Sequence, residues 1–576
     1  MNLLFENLEK LIDAPNGIEK ARELILQLAV QGKLVKQDPN DEPASELLKK
    51  IKKEKERLIA EGKIRRQREL PPIKDEEKPF ELPKGWKFEK VGNIAEFING
   101  VTYSKSESLD SPFDDYLPIL RANNINGKIN LNGLVYIPKK KVSERQLVKK
   151  YDNIIAMSSG SKSLVGKSAQ LLFEFEGSFG AFCGVLRFYE GLNNGYLNYF
   201  LQSPYYRTEI SRSSQGIGIN NLRKDNLLKL IIPLPPLNEQ KRIVEKVNSL
   251  MALLDEIEEK RERRNQKRIK LNNASLNKLI TSKDDIELKS NWKRIEENFN
   301  LLYSEPENVE KLKQAILQLA VQGKLVKQDP NDVPASELLK KIKKEKERLI
   351  AEGKIRRQRE LPPIRDEEKP FELPKGWEWG RIGSLFDLKT GATPSTAKKQ
   401  YYGGNIKWLV SGDIHKGEIF DCDGRITEEG LRNSNCKLIP INSVLIALNG
   451  QGKTRATVAI LRTVAACNQS LVAMTPIGEY IMPEYLYYNL KGRYYEIRDI
   501  TGRKQRRGLN MGIVGSLIFS IPPFNEQKRI VEKVNELMSL CNTLEEKLKQ
   551  KEAEAVRLVG AVVNEITNSK SVNYKG

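Results

Sequence analysis

ILQLAVQGKLVKQDPNDEPASELLKKIKKEKERLIAEGKIRRQRELPPIKDEEKPFELPKGW, residues 25–86, recurs at residues 316–377 with 60 of its 62 positions unchanged. Only Glu42/Val333 and Lys74/Arg365 differ. A second string is also doubled, PPLNEQKRIVEKVN at Pro235–Asn248 and PPFNEQKRIVEKVN at Pro522–Asn535. The two offsets, 291 and 287 residues, are nearly equal. Each half therefore repeats one order: a shared block, a variable block, then a shared helix. Tandem duplication without functional meaning would explain the identity, but not its abrupt end at Trp86 and Trp377.

The variable blocks, about Lys87–Leu234 and Glu378–Ile521, differ almost everywhere. Their apolar skeletons still align, with DNIIAMSSGS from Asp152 opposite SVLIALNGQG from Ser443. Short β-branched runs punctuated by Gly and Asn read as twisted β-structure with some helix. Surfaces held identical should meet the same partner twice. Surfaces free to differ should meet two different things.

Composition narrows the partner. At 576 residues the chain is long enough for about four modules. A hydrophobic fraction of 39% supplies real cores. The formal charge of +21, from 97 Lys+Arg against 76 Asp+Glu, favours a polyanionic partner, either nucleic acid or a membrane surface. No apolar run approaches the ~18 residues of a membrane span, and MNLLFENLEK lacks the order of a signal peptide. The five cysteines (Cys183, Cys422, Cys436, Cys467, Cys541) show no paired ligand spacing, which fits a reduced, cytoplasmic setting. His415 is the only histidine, which removes Ser–His–Asp triads and most zinc sites.

After each PP-x-NEQ the apolar residues fall in steps of four and three. Ile243, Val247, Leu250, Leu254 and Ile257 form the first seam; Ile530, Val534, Leu537, Cys541 and Leu544 form the second. Two such helices are expected to bury these seams against each other as a helix-pair interface. The alternative is that each lies on its own domain. The first pattern runs past a basic interruption at Arg261–Arg268 towards Leu276 and Ile280, a rod of roughly 65 Å from Asn238. Ala44–Ala60 is a third amphipathic helix, with Leu47, Leu48, Ile51, Leu58 and Ile59 on one face. Its charge run reads either as a solvated face or as a docking surface for protein or phosphates.

Base readout favours Arg or Lys on guanine and Asn or Gln on adenine, while phosphates accept hydroxyls and cations. In the first variable block the candidates are Ser159, Ser161 and Lys162, then Arg212, Gln215, Asn220, Asn221 and Arg223. In the second they are Asn449, Gln451, Lys453 and Arg455, then Arg503, Lys504, Gln505, Arg506 and Arg507, with His415 a lesser one. For any single residue, surface solubility is the competing reading. Two other strings are decoys. LIALNGQGKT at Leu445–Thr454 is close to a phosphate-binding loop, but β-branched sequence follows where a helix is required. IPPF at Ile521–Phe524 resembles an amino-methyltransferase tetrapeptide, yet Ile521 has no polar group to hold an amine. No catalytic, metal-binding or cofactor-binding residue is assigned.

The ordered set of blocks resembles one family, the specificity subunits of type I restriction–modification systems. The resemblance covers essentially the whole chain. It rests on FELPKGW before each variable block (Phe80–Trp86, Phe371–Trp377) and on the PLPPLNEQ and SIPPFNEQ junctions (Pro233–Gln240, Ser520–Gln527). The AVQGKLV…ASELL…EGKI block is similar to the type IB branch. The resemblance implies an α+β molecule in which two α/β target-recognition domains, related by pseudo-two-fold symmetry, are joined by long antiparallel coiled-coil helices. Its segments would be 1–86, 87–234, 235–282, 283–377, 378–521 and 522–576. It also implies double-stranded DNA, two methyltransferase subunits and two restriction subunits as partners. S-adenosylmethionine, ATP and magnesium would then belong to those subunits. A self-contained nucleic-acid enzyme and a coiled-coil scaffold that never reads DNA are the readings this one displaces.

Overall fold

A computed structural model describes residue 12 and residues 14–66, 69–159, 161, 164–213, 220–358, 360–450, 452–500 and 508–568. The chain divides into two compact units, Met1–Arg263 with Lys551–Gly576, and Arg264–Gln550.

In the first unit, the strand Lys87–Lys90 runs antiparallel to Ile231–Leu234, with Lys87 opposite Leu234. The two ends of the variable block are thus zipped together where it leaves the shared sequence. Inside it, Ala95–Asn99, Cys183–Phe188, Asn153–Ala156 and Ser168–Gln170 form a four-stranded sheet in that order. Asn153–Ala156 is buried at every position, as expected for an apolar run covered on both faces. Ser178–Phe179, Tyr116–Leu120 and Val135–Pro138 make a smaller sheet.

The second unit repeats this plan. Glu378–Arg381 pairs with Ile518–Ile521. Phe386–Thr390, Leu471–Pro476, Val444–Ala447, Val458–Leu461 and Glu418–Ile419 form a five-stranded sheet.

The shared sequence builds the same joint in each unit. Trp86 Nε1 donates to Glu239 Oε2 at 3.0 Å, and Gln37 Nε2 donates to Glu239 Oε1 at 3.0 Å. Arg242 pairs with Asp41 at 2.6 Å. In the second unit Trp377 reaches Glu526 at 3.0 Å, Gln328 reaches it at 3.1 Å, and Arg529 meets Asp332 at 2.6 Å. The neighbouring glutamines grip the variable blocks: Gln240 Oε1 accepts from the Asn193 amide and Gln527 Oε1 from the Met482 amide, each at 2.9 Å. Both glutamates are buried, and burial raises their carboxyls above the ordinary glutamate range against the hydrogen bonds that favour the charge.

The long helices span Leu237–Ile280 and Phe524–Asn568, 44 and 45 residues. Their expected seam is not a pairing of the two residue sets. Ile243, Val247, Leu250 and Leu254 lie in the core of the first unit with Ile257 packed against it, whereas Ile530 and Val534 lie in the second unit's core. Those faces cover their own recognition domains. In the first unit it is the far end of the second helix, Ala555, Val559, Val562 and Val563, that joins the core holding Leu254. In the second unit Leu276 and Leu279 share a core with Cys541, against which Leu537 and Leu544 pack. A heptad pattern states that a helix face is apolar; it does not state which apolar face covers it. The basic stretch is also occupied: Arg261 donates to the Ile12 carbonyl at 2.8 Å, and Arg268 meets Glu305 at 3.0 Å.

In the helix Ala44–Ala60, Leu47 and Ile51 are buried, Leu48 and Leu58 pack partly against the same core, and Ile59 is half-buried.

Candidate nucleic-acid interface

In the first unit, two loops that are far apart in sequence meet. Ser158–Ser159 pairs antiparallel with Asn220–Asn221, placing Asn220 opposite Ser159 and Asn221 opposite Ser158. The Leu222 amide donates to the Met157 carbonyl at 2.7 Å, extending the contact. A third segment joins them, because the Phe182 carbonyl accepts from the amides of Met157 (2.8 Å) and Ser158 (3.2 Å).

Ser159 is half-buried; Ser161, Asn221 and Arg223 are exposed. Arg212 is exposed too, on the helix Pro204–Ser213, and forms an ion pair with Glu209 at 2.8 Å. Its charge is partly spent within its own helix. Lys162 and Gln215 lie outside the described residues, as does the side chain of Asn220.

The second unit assembles its loops at the corresponding place. The Leu448 amide donates to the Ser470 carbonyl at 2.8 Å, and the Leu509 amide to the Leu448 carbonyl at 3.0 Å. Asn449 is exposed beside Gly508, where a β-carbon would stand 2.8 Å from the Leu448 carbonyl oxygen, so the close approach of the two backbones favours glycine. Lys453 is exposed, and His415 Nε2 lies 3.1 Å from Thr454 Oγ1. Gln451 and Arg503, Lys504, Gln505, Arg506 and Arg507 lie outside the described residues.

This second loop is clasped from behind. Arg498 donates to the Arg455 carbonyl at 3.2 Å, to Tyr494 Oη at 2.9 Å and to the Gly452 carbonyl. Tyr494 Oη in turn donates to the Lys453 carbonyl at 2.9 Å, and Arg455 Nη2 returns a bond to the Arg498 carbonyl at 3.1 Å. Beside the clasp opens a cleft of about 700 Å³ whose walls include His415, Lys453, Lys491 and Tyr495. Its lining is mixed: cationic side chains beside aromatic rings suit nucleic acid, while Glu310 and Asp499 face the same cleft.

The two decoys resolve on geometry. Lys453 sits in a turn followed by the strand Val458–Leu461, so no helix N-terminus lies behind LNGQGKT to hold phosphate. Ile521 is fully buried at the end of a strand. Among the described residues no group of three or more His, Cys, Asp or Glu is placed to hold a metal ion, and no helix is long and apolar enough to cross a membrane. All five cysteines are buried, and burial pushes the Cys183 and Cys467 thiols up to about 12, which keeps them neutral.

Sequence reasoning passed over Trp86, Gln37 and Glu239 with their counterparts, and over Arg498. The signal for the first set was available. Those positions are identical in both copies although they sit in two separate blocks, as partners in one contact would be.

Comparison with known proteins agrees with this arrangement. The family model described as type I restriction modification DNA specificity domain matches residues 83–265 and again 374–553. The specificity subunit of the type I restriction enzyme EcoAI of Escherichia coli is 34% identical over 565 residues, covering 96% of this chain and 94% of that protein. The EcoEI specificity subunit, also of Escherichia coli, is 31% identical over 593 residues, covering 96% and 94%. A solved chain from work on complex assembly and conformational transition of the type I R-M system superposes with a TM-score of 0.51 at 18% identity, covering 85% of this chain and 99% of that one, a likeness of fold alone.

Proposed function

The chain belongs to the type I restriction–modification specificity subunits, and we propose that its two variable blocks each read one half of a bipartite, asymmetric DNA site. It is the DNA sequence-recognition subunit of such a system and not an enzyme itself; methylation and cleavage reside on other subunits. One observation carries the bipartite reading. Two joints of identical residues and nearly identical distances hold up two loop clusters whose side chains differ.

The finer assignments rest on the same duplication. The shared blocks dock two methyltransferase subunits, and two restriction subunits complete the assembly. S-adenosylmethionine, ATP and magnesium are held by those partners. The long helices, roughly 65 Å each at 1.5 Å per residue, set the unread gap between the half-sites. The protein works in the cytoplasm on chromosomal and invading DNA. The net charge of +21 supplies the affinity that does not depend on sequence, through release of phosphate counterions.

Mapping modified bases across the genome of cells that carry this chain with its methyltransferase partner tests the reading. The expected result is one two-part sequence with a fixed gap and unlike halves. A single contiguous palindrome, or no modified sequence at all, contradicts it.

A further inference from the structure

Phe182 is 70% exposed, on a tight turn where the Cys183 amide donates to the Gly180 carbonyl at 2.8 Å. Isolated exposed aromatics are ordinary on protein surfaces. This one is set apart by what fixes it. Its carbonyl is held by the amides of Met157 and Ser158, and Met157 is tied to Leu222. The ring therefore stands on a rigid three-segment platform with Ser159 and Asn221, not on a free loop. Immediately after it the strand Cys183–Phe188 enters the central sheet, so the platform is anchored in the core.

The second unit supplies a control. The Leu448 amide donates to the Ser470 carbonyl at 2.8 Å, as the Met157 amide does to Phe182. Each acceptor immediately precedes the equivalent strand, Cys183–Phe188 or Leu471–Pro476. Phe182 and Ser470 thus occupy the same place in the two units: an aromatic ring in one, a small hydroxyl in the other.

We propose that Phe182 is a specificity-determining residue of the first half-site, laying its ring against the 5-methyl group of a thymine in the major groove. The proposal rests on the reading of the first block as a DNA-reading surface. An apolar side chain distinguishes T·A from C·G by that methyl, which no other base presents. With its backbone held, Phe182 has only two side-chain torsions left to order on binding, so little of its contact is lost to ordering. The hydroxyls and amides beside it supply the polar readout a ring lacks.

The test uses the chain assembled with its methyltransferase subunits and a duplex carrying the mapped site. Each thymine of the first half-site, on either strand, is replaced singly by deoxyuridine, which lacks only the methyl. One replacement should weaken binding by wild type roughly four- to tenfold, the size expected for one buried methyl. Phe182→Ala should weaken binding to the unmodified site by the same factor and be indifferent to that replacement. Phe182→Ser should behave likewise, and neither variant should change binding to non-specific DNA. The proposal is overturned if no thymine shows this coupling. It is also overturned if Phe182→Ala weakens all DNA equally, or if it prevents assembly with the methyltransferase subunits, which would make the ring a protein contact. If wild type fails to distinguish its site from other DNA, the underlying functional reading fails instead.

Discussion

The joint at Trp86 and the joint at Trp377 agree within 0.1 Å in each of three hydrogen-bond or ion-pair distances, while the loops they carry share almost no side chain. In the first unit the loops meet as a short two-stranded ladder capped by an exposed phenylalanine. In the second they meet through glycine contact, and Arg498 holds the carbonyls of both Gly452 and Arg455, where Arg207 of the first unit reaches the Val165 carbonyl. Identical buried residues building the same joint account for the first fact, and the proposed reading of two unlike half-sites accounts for the second. The frame is where energy is stored, and the loops are where information is.

The comparison breaks if the two frames are not energetically alike. Trp86→Ala and Trp377→Ala each remove a buried indole and one of the two side-chain hydrogen bonds to a buried glutamate. Each should cost about 3–5 kcal/mol in its own unit, read from urea unfolding followed by hydrogen exchange of each unit. The two costs should agree within about 0.5 kcal/mol. A large disparity would show that identical residues do unequal jobs.

Arg498→Ala sharpens the difference instead. It removes bonds to the carbonyls of Gly452 and Arg455, and bonds from a charged donor are worth roughly 1.5–3 kcal/mol each. Binding to the cognate site should fall by about tenfold or more. Mutating the second half-site of the DNA should then cost less than in wild type, while the first half-site keeps its full penalty. Equal loss at both halves would contradict a clasp local to one loop.

The smallest effect concerns pH. Glu239 and Glu526 have folded-state pKa values raised above the unfolded ones by burial. The folded chain therefore binds these protons more tightly, and their contribution to stability grows as pH falls through the folded value. Comparing unfolding between pH 7 and pH 5, Glu239→Gln and Glu526→Gln should each remove part of that gain, and remove equal parts. A slope unchanged by either substitution would contradict the burial argument.

How much of this was legible in the sequence follows from what each pattern encodes. Duplication is a long-range signal, and its abrupt end at Trp86 and Trp377 falls immediately before the strands Lys87–Lys90 and Glu378–Arg381. The loops around Ser159 and Asn449 were visible because Gly, Ser and Asn interrupt β-branched runs. That Ser159 would pair with Asn220 was not, since pairing partners 61 positions apart leave no local trace. The helix seams show the same limit: Ile243 and Ile530 sit at equivalent places in separate cores and cover separate domains, whereas Cys541 shares a core with Leu276 and Leu279 of the other long helix. Arg498 has a counterpart in Arg207, which donates to the Val165 carbonyl at 3.0 Å, but both arginines lie in the variable blocks, where the sequences have diverged too far for duplication to flag them.

The most direct test of a common frame with exchangeable readers is a graft within the chain. Replacing Lys87–Leu234 by a second copy of Glu378–Ile521 keeps Trp86, Gln37, Glu239 and Gln240, the residues of the first joint. Modified-base mapping of cells carrying this variant with the methyltransferase partner should then return a site whose two halves are both the sequence now read by the second block. Retention of the original first half-site in an active variant would show that the variable block is not what reads it, and the account would fall.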